Sequence, residues 1–330
     1  MSTEKPKRRP RYKGRNPRHF SEKYKEHDPE RYAADVHKVI ESGKTPAGMH
    51  RPVMVREVME VLDPHSGELA IDCTLGHGGH AAALLRALQP GGRLIGLDVD
   101  PIELPKAEAR LRALGFGPDA LAVHRTNFAG LAKVLPEPAD IIFADLGISS
   151  MQMDNPARGF TYKYDGPLDL RMNPQRGQAA SALLATLDES ALAALLLANA
   201  DEPRAERLAR AIKKTPVSTT TQLTAIVRSS GGDEDSVRRV FQALRIAVND
   251  EFGALDAFLQ NLPFCLKTGG RVAILTFHSG EDRRVKKSFQ AGERRGVYSE
   301  AAHEVRRPPP EEIRANPRSR SAKLRWARRA

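Results

Sequence analysis

Apolar positions along this chain fall into short runs separated by helical periods, and the rhythm changes twice. In "PVMVREVMEVL", from Pro52, apolar residues recur at helical spacing, whereas "LAIDC" (69–73) is a continuous apolar run of strand length. "GHAAALLRALQPGG" (79–92) predicts a helix stopped by proline and glycine, and "RLIGLDVDP" (93–101) a second strand ending in acids. The helix "IELPKAEARLRALG" follows, with Pro105 in its first turn, where the missing N–H costs nothing. "LAVHRTNF" and "ADIIFADLG" (139–147) predict a third and a fourth strand. Strands alternating with helices predict βαβ units and a parallel sheet.

After Gly147 the alternation stops. A polar loop (151–176) leads into successive helical segments, from "AASALLATL" to the long stretch "EDSVRRVFQALRIAVNDEFGALDAFLQNL". "GGRVAILTFHS" (269–279) then resumes the strand pattern, and a helix carrying "EDRRVKKSF", a proline-rich loop and "RSAKLRWARR" complete the sequence. The pattern predicts one α/β domain, residues 49–150 and 242–330, interrupted by an all-helical insertion at 151–241 that serves substrate recognition. Residues 1–48 read as a basic, mostly disordered extension, with a short helix at 28–42 behind Asp28 and Pro29.

Composition narrows the function. The longest apolar run, "ALAALLLA" (191–198), is far below the ~20 residues needed to span a bilayer, so no membrane role is expected. The basic N-terminus lacks the apolar segment of a secretory signal, which points to the cytoplasm. Cys73 and Cys265 are the two cysteines, and the ten histidines show no zinc-ligand spacing; neither a disulfide framework nor a metal is expected. The net charge of +11 is concentrated at the ends. Residues 1–18 hold eight Lys/Arg against one acid, and residues 306–330 nine against two, which leaves the middle slightly acidic. Such ends suit a polyanion, which they bind by releasing counterions, although solvated termini share the same composition.

The candidate chemistry sits at the end of the first strand, in "DCTLGHGGH" (72–80). Glycines at a strand-to-helix turn let a ligand approach the backbone and the helix N-terminus. Gly76, Gly78 and Ala81 have the G-x-G-x-x-A spacing of a dinucleotide site, and Asp98 lies where a ribose-binding acid belongs. Asp72, however, would face and repel a pyrophosphate. A cationic ligand without phosphate, such as S-adenosylmethionine (SAM), suits a pocket with Asp72, Asp98 and Asp145 at its strand ends. A nicotinamide cofactor remains the competing reading, and a non-catalytic protein that keeps the fold a third.

Taken together, "HRPVMVREV", "DCTLGHGGH", "GLDVDP", "FADLGISSMQMDNPARGFTYKYDGPLDLRMNP", "FQALRIAVNDEF", "TFHSGEDRRVKK" and "NPRSRSAKLR" resemble the RsmH (MraW) family of SAM-dependent methyltransferases. The resemblance runs from about His50 to Arg325. It implies the class I SAM-dependent methyltransferase (Rossmann-like) fold with an inserted helical domain. It also implies methyl transfer from SAM to N4 of a decoding-centre (P-site) cytidine of 16S ribosomal RNA in the small ribosomal subunit. A homodimer is an assembly open to such an enzyme. Carried over by motif, Gly78, Gly79 and His80 should contact SAM, Asp98 its ribose, Phe128 its adenine, and Asp145 and Gln152 should face it from the crevice, beside Asp72 and Gly76. The sequence departs from the family at Cys73, at Gly280 and in "ADEPRAERLA", and the basic extension lies outside the family pattern.

Cytosine N4 is a weak nucleophile because its lone pair is delocalised into the ring. A hydrogen-bond acceptor beside the amino group favours the attacking geometry, and Asp145 is the candidate; the alternative is that Asp145 only orients the methionine end of SAM. His278 is a second catalytic candidate, lining the base pocket with Ser279, while Arg283, Arg284, Lys286 and Lys287 could meet phosphates. Phe160, Tyr162 and Tyr164 read either as a wall for an unstacked base or as a hydrophobic plug.

Overall fold

The computed structural model describes residues 52–330. The basic extension and the helix expected at 28–42 lie outside the described residues. A seven-stranded sheet carries the molecule, in the order β3-β2-β1-β4-β5-β7-β6. Its members are β1 (Leu69–Asp72), β2 (Arg93–Asp98), β3 (Leu121–Arg125), β4 (Ala139–Asp145), β5 (Leu266–Thr276), β6 (Tyr298–Ala301) and β7 (Lys323–Arg329). The first five run parallel, with β1 between β2 and β4 and β5 beside β4; β7 pairs antiparallel with both β5 and β6. The chain reverses direction across the sheet at β1, which creates the switch point where doubly wound folds bind ligands.

Helices cover both faces, and alternate residues of each strand feed the two layers. In β4, Ile141 and Phe143 pack toward α1 (Val55–Leu62), α2 (Gly79–Leu88) and α3 (Leu104–Ala113), with Leu62, Leu85 and Leu111. Ile142 and Ala144 face the other way, onto Leu255, Phe258 and Leu262. All of these are essentially withdrawn from water, the burial that drives such layers together.

Between β4 and β5 the chain builds a separate hydrophobic cluster. After α4 (Ser150–Asp154) and a loop come α5 (Ala180–Thr186), α6 (Glu189–Ala200), α7 (Ala205–Ile212), α8 (Thr220–Ser229) and α9 (Glu234–Asn249). Leu192, Leu196, Leu208, Leu223, Val240 and Leu244 form its centre. Phe160 is buried in the same cluster and Tyr162 stacks on Phe241 with ring centroids 5.5 Å apart, whereas Tyr164 is exposed.

Three expectations need correction. The stretch 234–262 is two helices, because Asp250 takes a left-handed conformation (φ 48°) between α9 and α10 (Glu251–Cys265). α9 therefore continues past position 241, the boundary drawn from the sequence, and its Ala243 and Leu244 still pack in the helical cluster. The sheet is also not wholly parallel: "KLRWARR" is a strand inserted between β5 and β6, whose charged residues hide its buried Leu324 and Ala327. The segment after β5 forms α11 (Ser279–Arg294) as expected.

Candidate active site

At the switch point, β1 ends in Asp72 and the glycine loop begins. Gly76 (φ 50°) and Gly78 (φ 84°) hold left-handed conformations that side-chain-bearing residues rarely adopt, and they turn the chain sharply into α2. Three bonds tie the loop to its neighbours. Leu75 N–H donates to Leu97 O (2.8 Å), Gly76 N–H to Asp98 Oδ2 (2.8 Å), and Asp145 N–H to Thr74 Oγ1 (2.6 Å).

A cavity of about 510 Å³ opens above this turn, within the range of small-molecule sites. It is lined by Gly76, Gly79, Asp98, Asn127 and Phe128, from the glycine loop and the ends of β2 and β3, and by Arg245, Asn249, Glu251, Phe277 and Glu281, from α9, α10 and the segment after β5, with Asp145 and Gln152 also in the wall. Phe128 stands edge-on to the buried Phe258, with centroids 5.3 Å apart. Of the residues singled out from the sequence, Gly76, Gly79, His80, Asp98, Phe128, Asp145 and Gln152 thus meet at one cavity. Gly78 instead packs its α-carbon close to Leu111, where a β-carbon would lie 3.3 Å from the side chain. Asp72 lies beneath the wall, 1% exposed, its Oδ1 accepting from Thr74 N–H at 3.1 Å.

The carboxyls here are electrostatically unusual. Burial, reinforced by the charges of Asp72 and Glu281, pushes Asp145 up to about 8. Burial also raises Asp72 to about 7, with Asp98 adding repulsion, and it raises Asp98 despite amide donors from Asp100 and Gly76. His80 is buried, with its Nε2 2.9 Å from Val53 O and its Nδ1 3.7 Å from Asp145 Oδ2. A carbonyl only accepts, so Nε2 carries a proton, and Nδ1 faces Asp145.

Two residues that the sequence reading passed over organise the rest. Asp100 Oδ2 accepts from Gln152 Nε2 (2.7 Å) and Arg158 Nη1 (2.9 Å), all three side chains being buried. Arg158 Nη2 also donates to the carbonyls of Arg171 and Met172, so this one acid fixes the loop that follows β4. Gln152, expected to face a ligand, commits its amide to Asp100 and to the cap of α4. Asp100 is visible in the sequence as the acid after "GLDV", but it has no local partner there to mark its role.

His278 is not in the cavity wall. It caps α11, packs on Phe252 and places Nε2 3.1 Å from Glu281 Oε1. Glu281, three residues on, is the wall residue. Burial alone would raise its pKa, but the bond to His278 and the charges of His278 and Arg245 hold it low. Glu251, His278 and Glu281 bring potential metal-ligand atoms within 4.8 Å of one another. Both oxygens of Glu251 are nevertheless taken by Arg245 (2.7 and 2.9 Å), and Glu281 Oε2 accepts from Phe277 N–H (2.8 Å), so the cluster is built as ion pairs. Of the basic residues expected on α11, Arg284 lies 3.7 Å over the Phe252 ring, while Arg283, Lys286 and Lys287 are exposed. Arg318 pairs with Asp154 through two bonds of 2.6 and 2.8 Å. Among the described residues, no helix is long and apolar enough to cross a membrane.

The donor set suits SAM. Asp98 offers a carboxylate for ribose hydroxyls, Phe128 an aromatic face for a purine, and the unpaired carboxyls a sink for positive charge, whereas a pyrophosphate would meet repulsion from the same acids. The model of the MraW methylase family matches residues 47–330. The chain is 50% identical to "Ribosomal RNA small subunit methyltransferase H 2" of Alkaliphilus metalliredigens, covering 99% of each chain. It is 48% identical to "Ribosomal RNA small subunit methyltransferase H 1" of Lachnoclostridium phytofermentans, over 98% of this chain and 93% of that one. A similar protein of Agathobacter rectalis is 46% identical over the full length of both. The family model begins at the end of the basic extension, as expected from the sequence, while the alignments with these three relatives take the extension in. The likeness embraces the sheet, the glycine loop and the helical cluster alike, and the chain belongs to the MraW methylase family, a class I methyltransferase whose methyl donor is S-adenosylmethionine.

Proposed function

We propose that this enzyme methylates N4 of a decoding-centre (P-site) cytidine of 16S ribosomal RNA, within the small ribosomal subunit and in the cytoplasm. The names of its relatives support a ribosomal RNA substrate. The observation that carries the chemistry is Asp145, a largely buried carboxyl at the cavity wall, its proton affinity raised by burial, with the His80 ring 3.7 Å from it. Residues 151–241 serve as the recognition domain for the RNA, a reading supported by Met153, Met172 and Arg238, which line the cavity beside Gln152.

SAM, when bound, supplies an electrophilic methyl on a sulfonium. Gly76 and Gly79 bring bare backbone to it, Asp98 takes the ribose hydroxyls, and Phe128 flanks the adenine. Asp72, below the loop, adds negative potential toward the cationic centre. Asp145 accepts a hydrogen bond from the N4 amino group; as the new N–C bond forms and the C–S bond breaks, the surplus N4 proton passes to its carboxylate. That role requires the ionised acid, and a cationic ligand nearby lowers the raised pKa toward ionisation. His80 holds Asp145 in place, and His278 acts indirectly, by fixing Glu281.

The test is transfer of labelled methyl from SAM to small subunits of cells lacking the enzyme, followed by nucleoside analysis. Label recovered as N4-methylcytidine at one decoding-centre position is the expected result. Label in another nucleoside, or none despite SAM binding, would reject the assignment. Asp98→Ala should raise the Kd for SAM about 30- to 150-fold, as expected for losing hydrogen bonds of roughly 2–3 kcal/mol, read by calorimetry.

A further inference from the structure

The part of the cavity wall that α9, α10 and α11 supply is polar, yet most of its polar atoms are already engaged. Asn249 spends its Oδ1 on Met172 N–H (2.7 Å) and its Nδ2 on the carbonyls of Leu170 and Arg245 (2.8 Å each), so it anchors the loop. Glu281 is held by His278 and Phe277 N–H. Arg238 pairs with Asp235, and its side chain is 63% exposed. Arg245 is different. Its side chain is 14% exposed, and Glu251 grips it through Nε and Nη2. That grip occupies one edge of the planar guanidinium; Arg245 lines the cavity, and its other edge keeps donors to offer a ligand there.

The placement is costly. A buried bidentate ion pair commonly adds little net stability compared with apolar residues of the same volume. Arg245 and Glu251 also stand on two helices, either side of the left-handed Asp250, so the backbone joint itself sets the guanidinium's direction.

We infer that Arg245, held by Glu251, is the specificity-determining residue that reads the acceptor base, donating from its free edge to the N3 and O2 acceptors of cytosine. The inference rests on the cytosine-N4 reading above. Cytosine turns two acceptors to that edge while its N4 amine turns to Asp145. Uracil turns an N3–H donor to the guanidinium and a carbonyl to Asp145, so both contacts fail. A site built around buried polar groups rejects an analogue that leaves them unpaired far more strongly than an apolar pocket does. Lysine cannot substitute, because it lacks the rigid fork that pairs with Glu251 and still points a donor outward.

The experiment uses the full chain and small subunits carrying either cytidine or uridine at the methylated position. The cytidine subunit is assayed as substrate and the uridine subunit as competitive inhibitor. Wild type should favour cytidine, with an inhibition constant for the uridine subunit at least 100-fold above the KM for the cytidine subunit. Arg245→Lys and Arg245→Met should bring this ratio below about tenfold and lower kcat/KM by about 100-fold, with the Kd for SAM within twofold of wild type. Glu251→Gln, which keeps the shape but loosens the grip, should lower the ratio part-way. If the ratio survives in the Arg245 variants, or if SAM binding falls in parallel with turnover, the assignment is wrong. Should Arg245→Met fail to fold, Glu251→Gln decides by the same ratio. A wild-type enzyme that methylates some other nucleoside overturns the underlying reading instead, and the two failures are thereby distinguished.

Discussion

Two sets of buried carboxyls lie around one cavity, and the fold treats them in opposite ways. Asp72 and Asp145, at the ends of β1 and β4, have no Arg or Lys ion pair among the described residues, and both are raised to near-neutral or higher values. Asp100 and Glu281 have close partners on site, Arg158 at 2.9 Å and His278 at 3.1 Å, whereas the His80 ring stands 3.7 Å from Asp145. Paired acids hold the walls: Asp100 fixes the loop after β4, and Glu281 the start of α11. Unpaired acids wait for a cation from outside. The difference separates carboxyls that make structure from carboxyls that bind and react.

The sharpest test of the unpaired class is Asp145→Asn, which keeps shape but not charge. Methyl transfer should fall about 10²- to 10⁴-fold, the range of a lost acid–base group, measured under saturating SAM. In wild type, SAM binding near pH 7 should also release protons as Asp145 ionises, visible as buffer-dependent heat, and the variant should lose that dependence. Equal proton release in the variant would move the unpaired charge elsewhere.

Arg158→Met tests the paired class. It strands a buried Asp100, and such losses cost about 3–5 kcal/mol. At roughly 2–4 °C per kcal/mol for a chain of this size, Tm should drop by about 10 °C. A variant as stable as wild type would show that the pair does not hold the loop.

The smallest effect is expected at Asp72. Its folded-state pKa of about 7 exceeds the ordinary 3.8, so the folded form keeps a proton that the unfolded chain sheds. The associated stability is fully present below the ordinary value and is lost as pH rises through about 7. Asp72→Asn cannot ionise. Its Tm should match wild type near pH 4 and exceed it by a growing margin as pH rises to 8.5, by scanning calorimetry in both buffers. A constant offset at all pH values would contradict the ionisation account.

Sequence made the sheet half of this comparison visible and hid the other half. The runs at 69–73 and 139–147 carry their strand identity in local apolar content, and "LGHGGH" advertises a turn because only glycine is at ease there. The Asp100–Arg158 pair spans 58 positions, and nothing near either residue marks the other. Glu281 was overshadowed by His278, whose side chain looked more reactive but turned out to cap a helix. Strand β7 was missed because its arginines reach out along a ribbon whose alternate residues are buried. The break at Asp250 was missed because a left-handed aspartate leaves no compositional trace.

The position of β7 bears on how the protein is made. In the finished sheet it lies between β5 and β6, although β6 is synthesised some twenty residues earlier. Until residues 323–329 leave the ribosome, β5 shows an open edge and β6 has no strand to join. Unpaired edges invite adhesion to other chains. A nascent copy therefore passes through an interval in which its parallel sheet is formed but unsealed, and that interval is when a chaperone would be most useful to it.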